Sequence, residues 1–284
     1  MILRTLVTAG QCVPCGPPTL GLKKFGVPAG GPFDHESSRL ANALVGNDDV
    51  AIVLELASCT VSVSCDIDFS IAFVGGGHTA ILSNSEFEPG QSVNVRNGEQ
   101  LQIRPTRDGF RAYLAVPGGF KSTPVKGEYA MSQDGPTIVA RRLSEKPASL
   151  QVGDILTVQS VARVEAVSTA YCDRQGLRMS SNIPPKLVQD QLSRPLVQGA
   201  IQLTPKGELL VHGPDGPTIG GYEVIGCVAR AHQSRLAQIR PGQAVAFEPI
   251  DLEEARDLWR TQEELLSAVV RRIRSSVQLR RMSD

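Results

Sequence analysis

The sequence predicts a mainly β protein in two lobes, with a few helices that include a long amphipathic one near the C-terminal end. Three observations lead there. Gly (27) and Pro (19) are plentiful and aromatics few, the composition of short strands joined by many turns. Short β-rich runs follow one another closely at 60–64, 68–74, 92–95, 100–104 and 110–116, each bounded by turn residues. Finally, 284 residues that are 41% apolar suffice for two cores. A phrase of the form Gly-Asp/Gln-x-apolar recurs at Gly90-Gln91-Ser92-Val93, Gly153-Asp154-Ile155-Leu156 and Gly242-Gln243-Ala244-Val245, each a turn feeding a strand. Its recurrence suggests two related lobes, 1–160 and 161–284, with a linker at about 162–169.

Taken in order, residues 1–33 read as turn-rich. Asp34 then stands where its carboxylate can accept the free amides of a first helical turn. Leu40, Ala41, Leu44 and Val45 share one face of that helix, and Gly46 closes it. Ala51 to Leu56 is an apolar run carrying Glu55, a carboxylate that either faces solvent or is buried with a partner. In the run 110–116, Arg111 and Tyr113 share one face and Ala112 and Leu114 the other. With the apolar face as core, Arg111 and Tyr113 are expected to look into solvent or a cleft. A polar stretch at 183–196 has room for a short helical piece, and 234–239 forms one or two helical turns stopped by Pro241-Gly242. Asp251, with Glu254 three residues on, starts the long helix. Its expected apolar stripe is Leu252, Ala255, Trp259, Leu265, Leu266, Val269 and Ile273.

Several function classes are excluded. Lys plus Arg equals Asp plus Glu at 29 each, so no overall basic field draws nucleic acid or an acidic membrane. No apolar run is long enough to span a bilayer, and the first ten residues lack the core of a secretory signal. Cys12-Val-Pro-Cys15 is a lone CxxC without a second pair or a His pair at ligand spacing, so no metal site is expected. The six cysteines read as reduced thiols of a cytoplasmic protein. Gly75-Gly76-Gly77-His78 lacks the Lys-Ser/Thr of a phosphate loop.

The stretch richest in chemistry runs from His212 to Tyr222, between two strand-like runs. Its four glycines and two prolines give a stiff, bare backbone beside Asp215, Thr218 and Tyr222. Either a small polar ligand or a tight structural turn would use such a loop. Further back, Cys172-Asp173-Arg174-Gln175-Gly176-Leu177-Arg178 sets two guanidinium forks beside one glycine, suited to carboxylate, carboxamide or phosphate oxygens or to a solvated ion-paired loop.

These pieces, in order, resemble one family. Its first signature is matched by Phe25-Gly26-Val27-Pro28-Ala29-Gly30-Gly31-Pro32-Phe33-Asp34, then Ser37, Leu40-Ala41-Asn42 and Leu44-Val45-Gly46-Asn47. Arg111-Ala112-Tyr113-Leu114-Ala115-Val116-Pro117-Gly118-Gly119 resembles the second and Asp173 to Arg178 the third. Gly199-Ala200-Ile201-Gln202 leading into Gly213 through Tyr222 resembles the fourth, and Leu236-Ala237-Gln238-Ile239-Arg240-Pro241-Gly242 the close. The family is the biotin-dependent carboxyltransferase, or KipA-like, group. It includes the C-type component of ATP-dependent 5-oxoprolinase and half of the urea carboxylase carboxyltransferase domain. The chain departs from it at Val7-Thr8-Ala9-Gly10-Gln11-Cys12, where members have Thr-Val-Gln-Asp-x-Gly-Arg, and at Glu223, where many have Pro.

The resemblance implies a cyclophilin-like β-barrel architecture and action on a small amide. The expected function is a subunit that opens 5-oxoproline to glutamate with a KipI-like (PxpB-type) partner and a PxpA-type subunit, and is inactive alone. The alternatives are movement of CO2 from carboxybiotin to urea or a related amide, and a KipA-like regulatory binding role. The chain has neither a biotinylation sequence nor a phosphate loop, so it is expected to bind no cofactor alone, with ATP or carboxybiotin handled through partner subunits. In this frame Asp215 and Tyr222 are the expected catalytic pair. Arg111, Tyr113, Arg174, Arg178, Gln202, Pro217, Thr218, Gly220 and Gly221 are the expected substrate-binding residues.

Overall fold

The computed structural model describes residues 3–121, 123–125, 128–130, 155–158, 164–184 and 192–283. The chain divides into two compact units, each built on one cyclophilin-like half-barrel sheet. The first comprises Met1–Pro18, Asp34–Gln151 and Leu265–Asp284, and the second Thr19–Phe33 and Val152–Glu264. The units are thus not consecutive halves. Thr19–Phe33 cluster with the later lobe, where Phe33 enters the core, and Leu265–Asp284 cluster with the earlier one.

In chain order the first unit holds β1 (Leu3–Cys15), α1 (His35–Leu44), β2 (Val53–Cys65), β3 (Phe69–Gly75), β4 (His78–Leu82), β5 (Ser85–Phe87), β6 (Gln91–Val95), β7 (Gln100–Pro105) and β8 (Arg111–Ala115), then a small hairpin of β9 (Thr123–Val125) and β10 (Glu128–Ala130). The sheet order is β5-β4-β7-β2-β8-β3-β6, with β1 also paired to β2. β1 corrects the turn-rich reading over residues 3–15, while 16–33 hold turns, bends and one 3-10 turn at Lys23–Phe25. β1 is a thirteen-residue strand, antiparallel to β2, with register shifts between Val7 and Ala9 and between Ala9 and Gln11. Those irregularities erase the simple alternation by which a strand is recognised in sequence.

One face of this sheet carries an apolar core from Leu54, Leu56, Val61, Ile71, Phe73, Leu101, Ile103 and Leu114. The other face is covered by α1, whose Leu40, Ala41, Leu44 and Val45 are buried as expected. Asp34 caps α1, accepting from the Ser37 amide at 3.0 Å and the Ser37 hydroxyl at 2.7 Å. Cys12 packs on the first core and Cys15 belongs to the second. Residues three apart on a strand face opposite ways, so this pair is not a dithiol.

The second unit holds β11 (Ile155–Val158), β12 (Val164–Cys172), β13 (Gly176–Ser181), β14 (Arg194–Pro195), β15 (Ala200–Leu203), β16 (Glu208–His212), β17 (Ile219–Gly220), β18 (Glu223–Cys227), α2 (Gln233–Leu236) and β19 (Ala244–Pro249). The main sheet runs β11-β19-β12-β13-β16-β15-β18, and β14 pairs with β17 separately. β12 occupies the expected linker. Val164, Ala166 and Ser168 alternate inward there and Glu165 and Val167 outward, so the segment is a half-buried strand. Of the sequence expectations, half of the proposed helical piece at 183–196 falls on residues outside those described, as does Gly153.

α3 (Leu252–Ser283) starts as expected, with the Asp251 carboxylate accepting the Glu254 amide at 2.8 Å. Its buried stripe is Leu266, Val270, Ile273 and Val277, at spacings of four, three and four. Leu252, Leu265 and Val269, expected in that stripe, are exposed. The sequence reading merged two neighbouring faces of one helix. Arg274 fastens this end of the helix, donating to the Asn47 carbonyl at 2.7 Å and to Asp49 at 2.6 Å. No helix among the described residues is long and apolar enough to cross a membrane.

The buried thiols make the fold sensitive to alkali. Burial pushes Cys12 up to about 12 and Cys59 up to about 11, from an ordinary 9.0. The unfolded chain loses these protons near pH 9 while the folded chain keeps them. Stability is therefore fully present below pH 9 and falls as pH rises toward 11–12, by about 1.4 kcal/mol per pH unit per thiol. Denaturant midpoints at pH 8, 9 and 10 should fall in that order. Cys12→Ala/Cys59→Ala should flatten the trend, and an unchanged slope in that variant would refute the assignment.

Candidate functional site

The loop after β16 and the turn before β13 are bound to each other in the second unit. The Gly213 amide donates to the Gln175 carbonyl at 2.8 Å, and the Asp215 amide to the Arg174 carbonyl at 3.1 Å. The turn is shaped by Asp173, whose carboxylate accepts the Gln175 and Gly176 amides. Backbone approaches backbone so closely that a Cβ on Gly213 would lie 2.3 Å from the Arg174 carbonyl oxygen. Across the junction Arg174 grips Asp215 with two parallel bonds. Nε donates to Oδ2 at 2.5 Å and Nη2 to Oδ1 at 2.8 Å, and Nη2 also donates to the Gly31 carbonyl at 2.8 Å. The two residues expected to meet substrate separately therefore meet each other. Such a fork fixes both side chains in one geometry.

Beside this clasp lies a second buried set. Gln202 on β15 donates its amide to the Tyr222 carbonyl at 2.9 Å, and its Oε1 lies 2.9 Å from Nε2 of His212 at the end of β16. Gly220 lies against the Gln202 amide. A Cβ there would stand 2.7 Å from Leu196 Cδ1 and 2.8 Å from Gln202 Nε2, so a side chain would push those two side-chain ends aside. Lys23 donates to the Leu196 carbonyl at 3.2 Å, and the Leu196 amide donates to the Thr218 carbonyl at 2.9 Å. Burial first, and then the positive charge of Lys23, hold the His212 pKa below the ordinary histidine value. His212 is consequently neutral at pH 7.

Of the expected residues, Arg174, Gln202, Asp215, Thr218, Gly220, Gly221 and Tyr222 fall in this region. The Tyr222 side chain is exposed while its carbonyl is held by Gln202, and Pro217 is exposed. Arg178 does not join them. It sits on the outward face of β13, 4.0 Å from Glu208 and over the Tyr171 ring.

Arg111 and Tyr113 also depart from expectation, since both are fully buried inside the first unit. Their shared face lies under α1, not in solvent. The Tyr113 hydroxyl donates to Glu55 Oε2 at 2.7 Å and accepts the Asp34 amide at 2.7 Å. Arg111 Nε lies 3.2 Å from Glu55 Oε1. Glu55 stands directly opposite Tyr113 in the β2–β8 register. It is thus the buried carboxylate with partners that its apolar run left open. Burial, then the nearby Glu55 charge, raises the Tyr113 pKa well above its usual value, which keeps the phenol a donor. Lys23 and His212 carried no site signal in the sequence beyond the position of His212 at the mouth of the glycine-rich loop.

Among the described residues no group of His, Cys, Asp and Glu could hold a metal ion. What the second-unit cluster offers is a fixed cation–carboxylate pair, a neutral imidazole oriented by a carboxamide, and an ammonium. That set suits a small ligand carrying carbonyl and N–H groups.

Known proteins are similar to this chain in sequence and in fold. The carboxyltransferase domain model, subdomains A and B, matches residues 25–171 and 166–249. The chain is 28% identical over 269 residues to the C-type component of the 5-oxoprolinase of Escherichia coli, covering 83% of this chain and 87% of that one. It is 24% identical to the urea amidolyase of Saccharomyces cerevisiae, covering 91% of this chain and 17% of that one. The crystal structure of the protein TTHA0988 superposes with a TM-score of 0.75 at 26% identity, over 88% of this chain. The chain spans 56% of the length of that solved relative. With the family model matched across most of its length and this fold in two sheets, the chain belongs to the carboxyltransferase domain family, subdomains A and B.

Proposed function

We propose that this chain is the C-type component of an ATP-dependent 5-oxoprolinase, which opens 5-oxoproline to glutamate together with KipI-like and PxpA-like subunits. The observation that carries this reading is the similarity, over 269 residues, to a protein named as that component of 5-oxoprolinase. The cluster in the second unit supports it. A five-membered lactam with a carboxylate would present a carbonyl, an N–H and a negative charge to the Gly220–Gly221 backbone, His212–Gln202, and Lys23 with the Arg174–Asp215 pair. In this reading Arg174 and Asp215 act as one unit, Thr218 and Tyr222 line the approach, and ATP is handled by the partner subunits. The second reading is transfer of CO2 from carboxybiotin to urea or a related amide. It draws on the family's carboxyltransferase character and on the urea amidolyase relative.

Glutamate formation from 5-oxoproline and ATP, measured for the chain alone and then with both partner subunits, separates the readings. Turnover is expected only in the full mixture. A complex that assembles, makes no glutamate and carboxylates urea when given carboxybiotin would replace the first reading by the second.

A further inference from the structure

We infer that His212 is the proton acceptor of this site, with Nδ1 as the accepting atom and Gln202 as the residue that sets its tautomer. The inference rests on the amide-opening reading above. The Tyr222 carbonyl can only accept a hydrogen bond. Gln202 therefore turns its NH2 toward that carbonyl, at 2.9 Å. Its Oε1 then faces His212 Nε2 at 2.9 Å and can only accept in turn. The Nε2 atom must carry the hydrogen, which leaves the lone pair on Nδ1. Nδ1 has no hydrogen-bond partner among the described residues, nor is it one of the sealed, unsatisfied atoms of the fold. Gly220 leaves the Gln202 amide its place, since a Cβ there would press on it.

Lys23, from the turn before Phe25, is the charge acting on the imidazole. Arg174 and Asp215, on the adjoining turn and loop, neutralise each other. Lys23 and desolvation keep the ring neutral and ready to accept. In the step inferred, a water oxygen bonds to the lactam carbonyl carbon while Nδ1 takes the water proton. The imidazolium, still held by Gln202 at Nε2, then returns that proton to the lactam nitrogen as the C–N bond breaks. One water is consumed, and the imidazole is restored.

Nitrogen-15 NMR of the chain's four histidines, assigned with His212→Gln, reads the tautomer directly. The Nε2–H form is expected for His212 at pH 7, and Gln202→Leu should abolish the preference. In the reconstituted complex, His212→Gln should lower kcat about 10²-fold or more with KM changed less than about threefold. Gln202→Glu should shift the acidic limb of the kcat profile to higher pH, because a carboxylate on Nε2–H favours the imidazolium. A merely structural histidine would not move that limb. An Nδ1–H tautomer, or undiminished kcat in folded His212→Gln, overturns the inference. An assembled wild-type complex without glutamate formation overturns the functional reading and the proton step with it, whatever the tautomer. Glutamate formation that survives His212→Gln overturns the proton step alone.

Discussion

Glu55→Gln should destabilise the first unit by about 3–5 kcal/mol, the range for breaking a buried charge pair by removing one member. The mutation keeps shape and volume but removes the negative charge that faces Arg111, whose side chain is 0% exposed. The Tyr113 hydroxyl keeps an acceptor in the new amide only if that amide turns its oxygen inward. The NH2 is then directed at Arg111, where it meets a cation. Glu55→Leu with Arg111→Met should recover most of the loss, because replacing both partners with apolar groups avoids leaving a lone buried charge. Urea unfolding of the two variants, followed by far-UV circular dichroism, makes the comparison. Equal stability of Glu55→Gln and the parent would mean that the network contributes nothing to the fold.

Arg174→Lys is expected to cost turnover of about 10²-fold in the reconstituted complex, comparable to losing a preorganised donor. An ammonium has the charge but not the planar fork, so it cannot hold both oxygens of Asp215 and the Gly31 carbonyl together. Asp215→Asn removes the same fork from the other side and should give a loss of similar size. Because the two side chains act through one contact, the double variant should be little worse than either single one. Additive losses in kcat would mean that Arg174 and Asp215 work independently, as the sequence alone had suggested.

What could be read from sequence was local. The Asp34 and Asp251 caps were legible because a carboxylate and the amide three residues on are fixed by helix geometry alone. The glycine-rich loop was legible because only such a sequence lets Gly213 and Gly220 approach neighbouring groups so closely. The alternation in 110–116 correctly placed Arg111 and Tyr113 on one face. What covers that face is α1, more than sixty residues earlier, and periodicity within a strand carries no news of it. β1 was missed for a related reason, since its identity comes from the partner strand and its two register shifts hide the pattern. Lys23 acts on His212 from a turn with no periodic or motif signal of its own. The clasp between Arg174 and Asp215 joins residues 41 apart, and only pairing of β13 with β16 brings them together.

The division of the chain has a consequence for biosynthesis. Leu266, Val270, Ile273 and Val277 complete the core of the first unit, yet they leave the ribosome after the whole of the second. Translation therefore cannot finish the first unit before the second has emerged. The nascent first sheet must wait with the hydrophobic surface around Leu40, Leu44 and Val45 partly uncovered. Domains that emerge early usually fold early, and exposed apolar surface on a waiting intermediate invites aggregation. For this topology the interval between synthesis of residue 151 and residue 265 is the period of greatest risk, and a chaperone that shields apolar surface would matter most then.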